Sequence, residues 1–255
     1  MLKKYAPIFL LIFFVILALS STTKGIVNGQ ATGITSKTSK NMIYEIMKGT
    51  YKVKGVQINY PQIFKLNNKG KQENINQLIK KEALKVLNYY SGEIDGLNLE
   101  INYNIKLKNA NLLSIQYVGI GYKTGSPHPN RLFYTTNVNI NLVSRVRLKD
   151  LVKVNEIAHK FKNGKFKALN ANFKDIYNEY PIEYFINAFS KADSLDTIGT
   201  ENQSDTFCYL SKDSLGISVS AGGGVDHAEF EIKFKDIVTI KTENGVWKSL
   251  NLLES

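Results

Sequence analysis

Three observations predict an α+β fold in which helices pack on one face of antiparallel sheet. Leu99, Ile101, Tyr103, Ile105 and Leu107 alternate without a miss, which is the mark of a half-buried strand in an antiparallel sheet. Over Lys71–Tyr90, Ile75, Leu78, Ile79, Ala83, Val86, Leu87 and Tyr90 recur at spacings of three and four, which marks a helix with one apolar face. Strands and helices interleave along the chain, yet hairpins dominate and neither a regular strand–helix–strand repeat nor any fixed-period repeat appears. That order favours helices laid against antiparallel sheet over a parallel, doubly wound one.

The chain opens with Lys3 and Lys4, followed by an apolar run from Ala6 to Leu19, 14 residues interrupted only by Pro7. Such a run matches a secretory core segment and falls short of the roughly 17–25 residues of a spanning helix. Ala18 and Ser20 supply the small residues a signal peptidase reads. Residues 1–20 are therefore expected to be a signal peptide or, uncleaved, a membrane anchor through Tyr5–Leu19. No cysteine lies near the end of the run, which argues against lipid attachment. Residues 21–40 carry eight Ser or Thr and three Gly, the composition of a flexible spacer. The remaining 215 residues are enough for one large domain or two small ones. Two tightly associated α+β units are expected, 41–125 and 126–255.

Tyr51–Tyr60 is expected as a strand broken at Gly55 and ended by Pro61. Asn68–Gly70 turns into the helix, and Gly92 and Gly96 bracket its exit. Asn109-Ala110-Asn111 connects the alternating strand to another over Leu112–Lys123. A loop, Gly125-Ser126-Pro127-His128-Pro129-Asn130, leads to a strand over Leu132–Leu142. Asp150–Phe161 has a helical face of Leu151, Val154, Ile157, Ala158 and Phe161, with Gly164 as its stop. Asn170–Ala192 is helical with a break at Pro181. Asp193–Asp205 is polar and acidic and is expected as a surface loop. Strands return at Thr206–Leu210, Leu215–Ser220 and Ala228–Phe234. Gly222-Gly223-Gly224 joins the last two as a hairpin turn or bulge, since it leads into a strand rather than a phosphate-binding helix.

The full chain carries a net +11, and loss of residues 1–20 leaves 31 basic against 22 acidic side chains, or +9. The densest part, Arg145–Lys167, holds eight Lys or Arg. Outside a cell, anionic wall polymers or lipid headgroups suit that charge, whereas export removes nucleic acid from reach. Against this, only Arg131, Arg145 and Arg147 stand beside thirty lysines, and bidentate phosphate recognition draws on Arg. Solvated lysine surface explains the excess equally well. Cys208 is the single cysteine, so no disulfide closes within the chain, as suits a bacterial envelope protein. Its apolar neighbours make it a core thiol rather than a nucleophile.

No histidine pair, Cys pair or nucleophile elbow occurs. Asp226, His227 and Glu229 cluster near a strand start, where an ordinary ion pair is favoured over a metal. No catalytic residue, cofactor or metal ligand is assigned. His128, held between Pro127 and Pro129, sits on a stiff loop of the kind that presents binding groups. The competing and favoured reading is that its imidazole bonds a backbone carbonyl and holds the loop. Candidate ligand contacts are His128, Asn130 and Arg131 here, with Arg145 and Arg147 at the start of the basic stretch.

Several segments in order, Asn59-Tyr60-Pro61-Gln62-Ile63, Ile75-Asn76-Gln77-Leu78-Ile79, the His128 loop, Asn137–Leu142, Leu148-Lys149-Asp150-Leu151, Phe207–Leu210 and Phe230-Glu231-Ile232-Lys233-Phe234, carry a likeness to a known family. Over Tyr51–Val238 the chain resembles the paired uncharacterised extracytoplasmic domains of Gram-positive bacteria. These form the lysozyme-sensing ectodomain of the anti-sigma-V factor and precede the catalytic domain of a peptidoglycan deacetylase. Arg145 replaces a usual glycine, and Ala221-Gly222-Gly223-Gly224 replaces an aromatic segment, which puts the relatives' ligand in question for this chain. With four residues before the Tyr5–Leu19 segment and no deacetylase domain after the module, the module is expected to stand alone.

The resemblance and the composition together imply a non-catalytic envelope module that binds peptidoglycan or another wall polymer. A protein-binding role of the lysozyme-sensing type is the alternative, opposed by the repulsion between a +9 chain and basic lysozymes unless Asp193–Asp205 offers an acidic face. An unrecognised hydrolase using His128 or the Asp226/His227/Glu229 cluster comes third. The membrane enters only through the N-terminal segment.

Overall fold

A computed structural model of the chain describes residues 44–196, 204–221 and 226–250. The apolar N-terminal run, the spacer and the triple-glycine turn lie outside the described residues. The described residues form one compact unit of α+β class, built on two sheets. The first has six strands in sequence order, β1 (Glu45–Val53), β2 (Val56–Phe64), β3 (Leu97–Lys108), β4 (Leu112–Lys123), β5 (Asn130–Asn139) and β6 (Ser144–Val146). Its pairings are antiparallel except β2 with β3, whose parallel contact spans Val56–Ile58 on Leu99–Ile101. The division expected between 125 and 126 therefore runs between two strands hydrogen-bonded along their length.

Helix α1 (Lys69–Leu84), continued by a 3-10 turn at Lys85–Tyr90, is the crossover between the parallel strands. Asn68 starts it by accepting from the Lys71 amide at 2.9 Å, so the helix begins two residues before the expected Lys71. Its Ile75, Ile79 and Ala83 are fully buried with Ile58, Leu99, Ile101 and Tyr117 in one core. Asn76 clamps its first half to the Ile63 backbone of β2, and the Tyr134 hydroxyl of β5 donates to the Ala83 carbonyl at 2.8 Å. The helix thus crosses the sheet from β2 to β5, and Leu97, Leu99 and Ile101 of β3 share its core, while Leu107 packs with the core of the second sheet.

The first strand differs from expectation. Lys54-Gly55 is a hairpin turn between β1 and β2, and Pro61 lies inside β2 opposite Lys48. Proline is tolerated there because β3 pairs with β2 only as far as Ile58, leaving that side of Pro61 without a ladder to break.

The second sheet runs β7 (Lys167–Ala168), β10 (Asp226–Lys233), β9 (Ser214–Ala221), β8 (Phe207–Leu210), all antiparallel. One of its faces meets α3 (Val154–Lys162) and α4 (Ile182–Ser190). There the Phe161 ring lies 4.9–5.4 Å from those of Phe166, Phe185, Phe189 and Phe230. The expected helix Asp150–Phe161 is split in two. A short α2 (Leu148–Leu151) ends where Val152 pairs with Lys241, and Val152 and Lys153 are extended before α3 begins. Asn170–Ala192 likewise divides into two 3-10 turns and α4, with Pro181 as the α4 N-cap. A 3-10 stretch at Phe234–Ile240 and the helix α5 (Val246–Leu250) are the last elements among the described residues.

Among the described residues, no strand lies beside the outer edge of β8. Side chains take that role: Ser114 accepts from the Leu210 amide, Asp193 accepts from the Cys208 amide, and Thr135 and Asn137 donate to the Cys208 carbonyl, at 2.6–2.9 Å. This explains four polar residues that are 8% exposed or less, since a buried backbone edge must be paired.

Candidate functional site

Alternation along the six-stranded sheet sends one set of side chains under α1 and the other to the opposite face. The second sheet covers part of that opposite face, near Ser114, Gln116, Thr135 and Asn137. The remainder is open. Register places Lys52, Gln57, Glu100, Ile120 and Arg131 in a single row across β1 to β5. The next row is Thr50, Asn59, Asn102, Val118 and Phe133. Parallel to these, Asn98 sits opposite Tyr122. Two recesses of about 430 and 460 Å³ adjoin across Glu100 and Ile120, forming one groove over the strands. Ile120 is 54% exposed and Tyr122 36%.

A hydrogen-bonded chain fixes the polar part of the groove. The Thr50 hydroxyl donates to Asn59 Oδ1 at 2.9 Å, Asn59 Nδ2 to Asn102 Oδ1 at 2.7 Å, and Asn102 Nδ2 to Glu100 Oε1 at 3.2 Å. Two glycines permit the backbone its close approaches here. A Cβ at Gly119 would lie 2.0 Å from the Glu100 carbonyl, and one at Gly121 1.9 Å from the Tyr90 hydroxyl.

Of the expected contacts, the structure brings only Arg131 into this groove. Its backbone amide donates to Asp226 Oδ2 at 2.9 Å, and its exposed side chain ends the central row. Asn130 pairs with Gly121 and turns to the helix side, beside Tyr90. His128 is exposed, with Nδ1 3.2 Å from the carbonyl of its neighbour Pro129, while Pro129 itself lines the groove's end. Arg145 and Arg147 lie at the far end of β5, roughly 20 Å from Arg131 by strand rise. They are occupied internally. Arg145 pairs with Glu82 and with Asp196 at 3.2 Å, Arg147 reaches Asp196 at 3.0 Å, and Lys85 completes the network.

The cluster at β10 disperses. Asp226 bonds Arg131, while Glu229 accepts from Gln116 at 3.0 Å. His227 lies between Phe133 and Phe207, with ring centroids 5.4 and 6.4 Å away, and its Nδ1 is 3.4 Å from Ser218 Oγ. Burial pushes its pKa below the usual histidine value, against the pull of Asp205 and Asp226. His159 is exposed on α3. Among the described residues no group of three or more His, Cys, Asp or Glu could hold a metal ion.

Asp193–Asp205 departs from the expected surface loop. Asp193, Ser194, Leu195 and Ser204 are buried, and residues 197–203 lie outside the described residues. Asp193 adopts a left-handed φ of 63° so that its carboxylate can accept from the Leu148 amide at 2.8 Å and the Cys208 amide at 2.6 Å. Burial raises its pKa to about 6, although the Cys208 and Leu148 donors and Arg145 oppose that rise. Cys208 is a core thiol, as expected, bonded to Asp193 and pushed well above the ordinary thiol pKa by burial. The acidic face that lysozyme binding required thus loses Asp193 to the core and Asp196 to the arginines.

Sequence reasoning missed the Glu100 row. Its signal is present in the even-numbered polar residues of β3, Asn98, Glu100, Asn102 and Asn104, which alternate with the apolar residues that mark the strand.

No family model matches the chain, and no curated protein matches it. Two solved structures of DUF3298 family proteins, members of a domain family of unknown function, are similar to it. That from Bacteroides fragilis is 13% identical, covers 81% of this chain and 95% of its own, and has a TM-score of 0.45. That from Pseudomonas aeruginosa is 12% identical, covers 79% and 94%, and has a TM-score of 0.46.

Proposed function

We propose that this chain is an exported, non-catalytic envelope module that binds a wall polymer across the open face of its six-stranded sheet. The groove over β2 to β5 carries this reading. It combines exposed apolar groups, Ile120 and Tyr122, with oriented amides and a carboxylate. Ligand sites of this composition bury sugar or peptide rings on apolar side chains and fix them with a few polar contacts. The secretory N-terminal pattern, the positive mature charge and the motif order shared with envelope sensor and deacetylase modules support the location.

Retention on purified cell-wall sacculi, with and without their teichoic acid, tests the proposal. The wild-type chain should be retained at low salt. Ile120→Asp should abolish retention without lowering Tm, while Leu142→Asp, at another exposed apolar position (64% exposed), should leave it unchanged. Absence of wild-type retention on both preparations ends the reading.

A further inference from the structure

We propose, resting on the open face as the ligand surface, that Glu100 selects a saccharide offering hydroxyl, amide or amine donors and rejects phosphodiester polymers. Glu100 stands in the middle of the groove, shared by both recesses. Every donor in the Thr50–Asn59–Asn102 chain points toward it, and Asn59 is 2% exposed, so the chain is held in one arrangement. Asn102 occupies one acceptor position on Oε1. An ionised carboxylate offers acceptor positions only, about four in all. The others face solvent in the groove.

Charge decides the ligand class. Among the described residues Glu100 has no ion-pair partner. Lys52 and Arg131 lie two strands away on either side, roughly 10 Å at the backbone. A polyanion laid along the row would gain those two cations only by crossing an unneutralised carboxylate, a repulsive contact of the kind that enforces specificity. A neutral or amine-bearing sugar meets no such opposition. Its hydroxyls or nitrogens donate to Glu100, the Asn98 and Gln57 amides can both donate and accept, and its apolar ring face rests on Ile120 and Tyr122.

Binding should be compared on sacculi stripped of anionic polymer and on purified poly(glycerol phosphate), using wild type, Glu100→Gln and Tyr122→Ala. Wild type should prefer the stripped sacculi. Glu100→Gln should lose roughly tenfold in affinity there, the worth of a charge-assisted hydrogen bond. It should also gain affinity for poly(glycerol phosphate), a readout that loss of fold would not produce. Equal binding of wild type and Glu100→Gln to stripped sacculi, or a wild-type preference for poly(glycerol phosphate), overturns the role of Glu100. If Tyr122→Ala alone weakens binding, the open face survives that failure. If wild type binds neither material, both readings fall together.

Discussion

Asp193 shows how one side chain can replace a missing strand. Its carboxylate accepts two backbone amides and the Cys208 thiol in a site without solvent. Because its folded pKa, about 6, exceeds the unfolded value near 3.8, protonation favours the native state. The contribution is fully present below about pH 4 and is lost as pH rises through about 6, a change of about 3 kcal/mol. Urea denaturation between pH 4.5 and 7.5 should show this fall in stability for wild type, and Asp193→Asn should flatten it. The exposed carboxylates Glu93, Asp95 and Asp213, held down by hydrogen bonds from lysines, act in the opposite sense only at lower pH. At His128 the opposite is expected. Its carbonyl contact is with the adjacent residue on an exposed loop, so His128→Ala should change stability by less than about 0.5 kcal/mol in a thermal melt.

At the scale of elements, α1 gives a graded test of helical period. Ile79 is fully buried, whereas Leu78 is only partly so. Ile79→Ala should cost about 2–5 kcal/mol and Leu78→Ala distinctly less, read from paired denaturant titrations. Equal costs would mean that the helix faces the sheet differently. The same helix shows what was legible in advance. Its apolar spacing and the alternation of β3 are local signals, and both elements appear within a few residues of expectation. What failed was non-local. Val152 looks helical until its pairing with Lys241 is known, and Pro61 looks like a strand end until the pairing of β3 with β2 is seen to stop at Ile58. Arg145 and Arg147 looked like free cations because Glu82 and Asp196 are remote in sequence. Asp193 looked like loop surface because nothing in its neighbours announces the edge of β8.

At the scale of the whole molecule, the buried polar contacts of β8 against β4 and β5 join the two sheets, and β5 pairs along its length with β4 in the first sheet. One cooperative transition should result. Trp247, the only tryptophan, is 4% exposed and donates to the Leu151 carbonyl, so its fluorescence reports the helical side of the second sheet. Far-UV circular dichroism follows the backbone throughout. The two curves should coincide in guanidinium, and separate midpoints would show units that unfold independently. The Lys52–Gln57–Glu100–Ile120–Arg131 row carries a last consequence, for evolution. Each member shares its strand with residues of the α1 core on alternate positions, so inserting or deleting one residue in any strand would turn that member inward. Loop-borne sites diversify by changing length. This face can acquire a new ligand only by exchanging one side chain for another, and its repertoire among descendants should vary in residue identity while strand lengths stay constant.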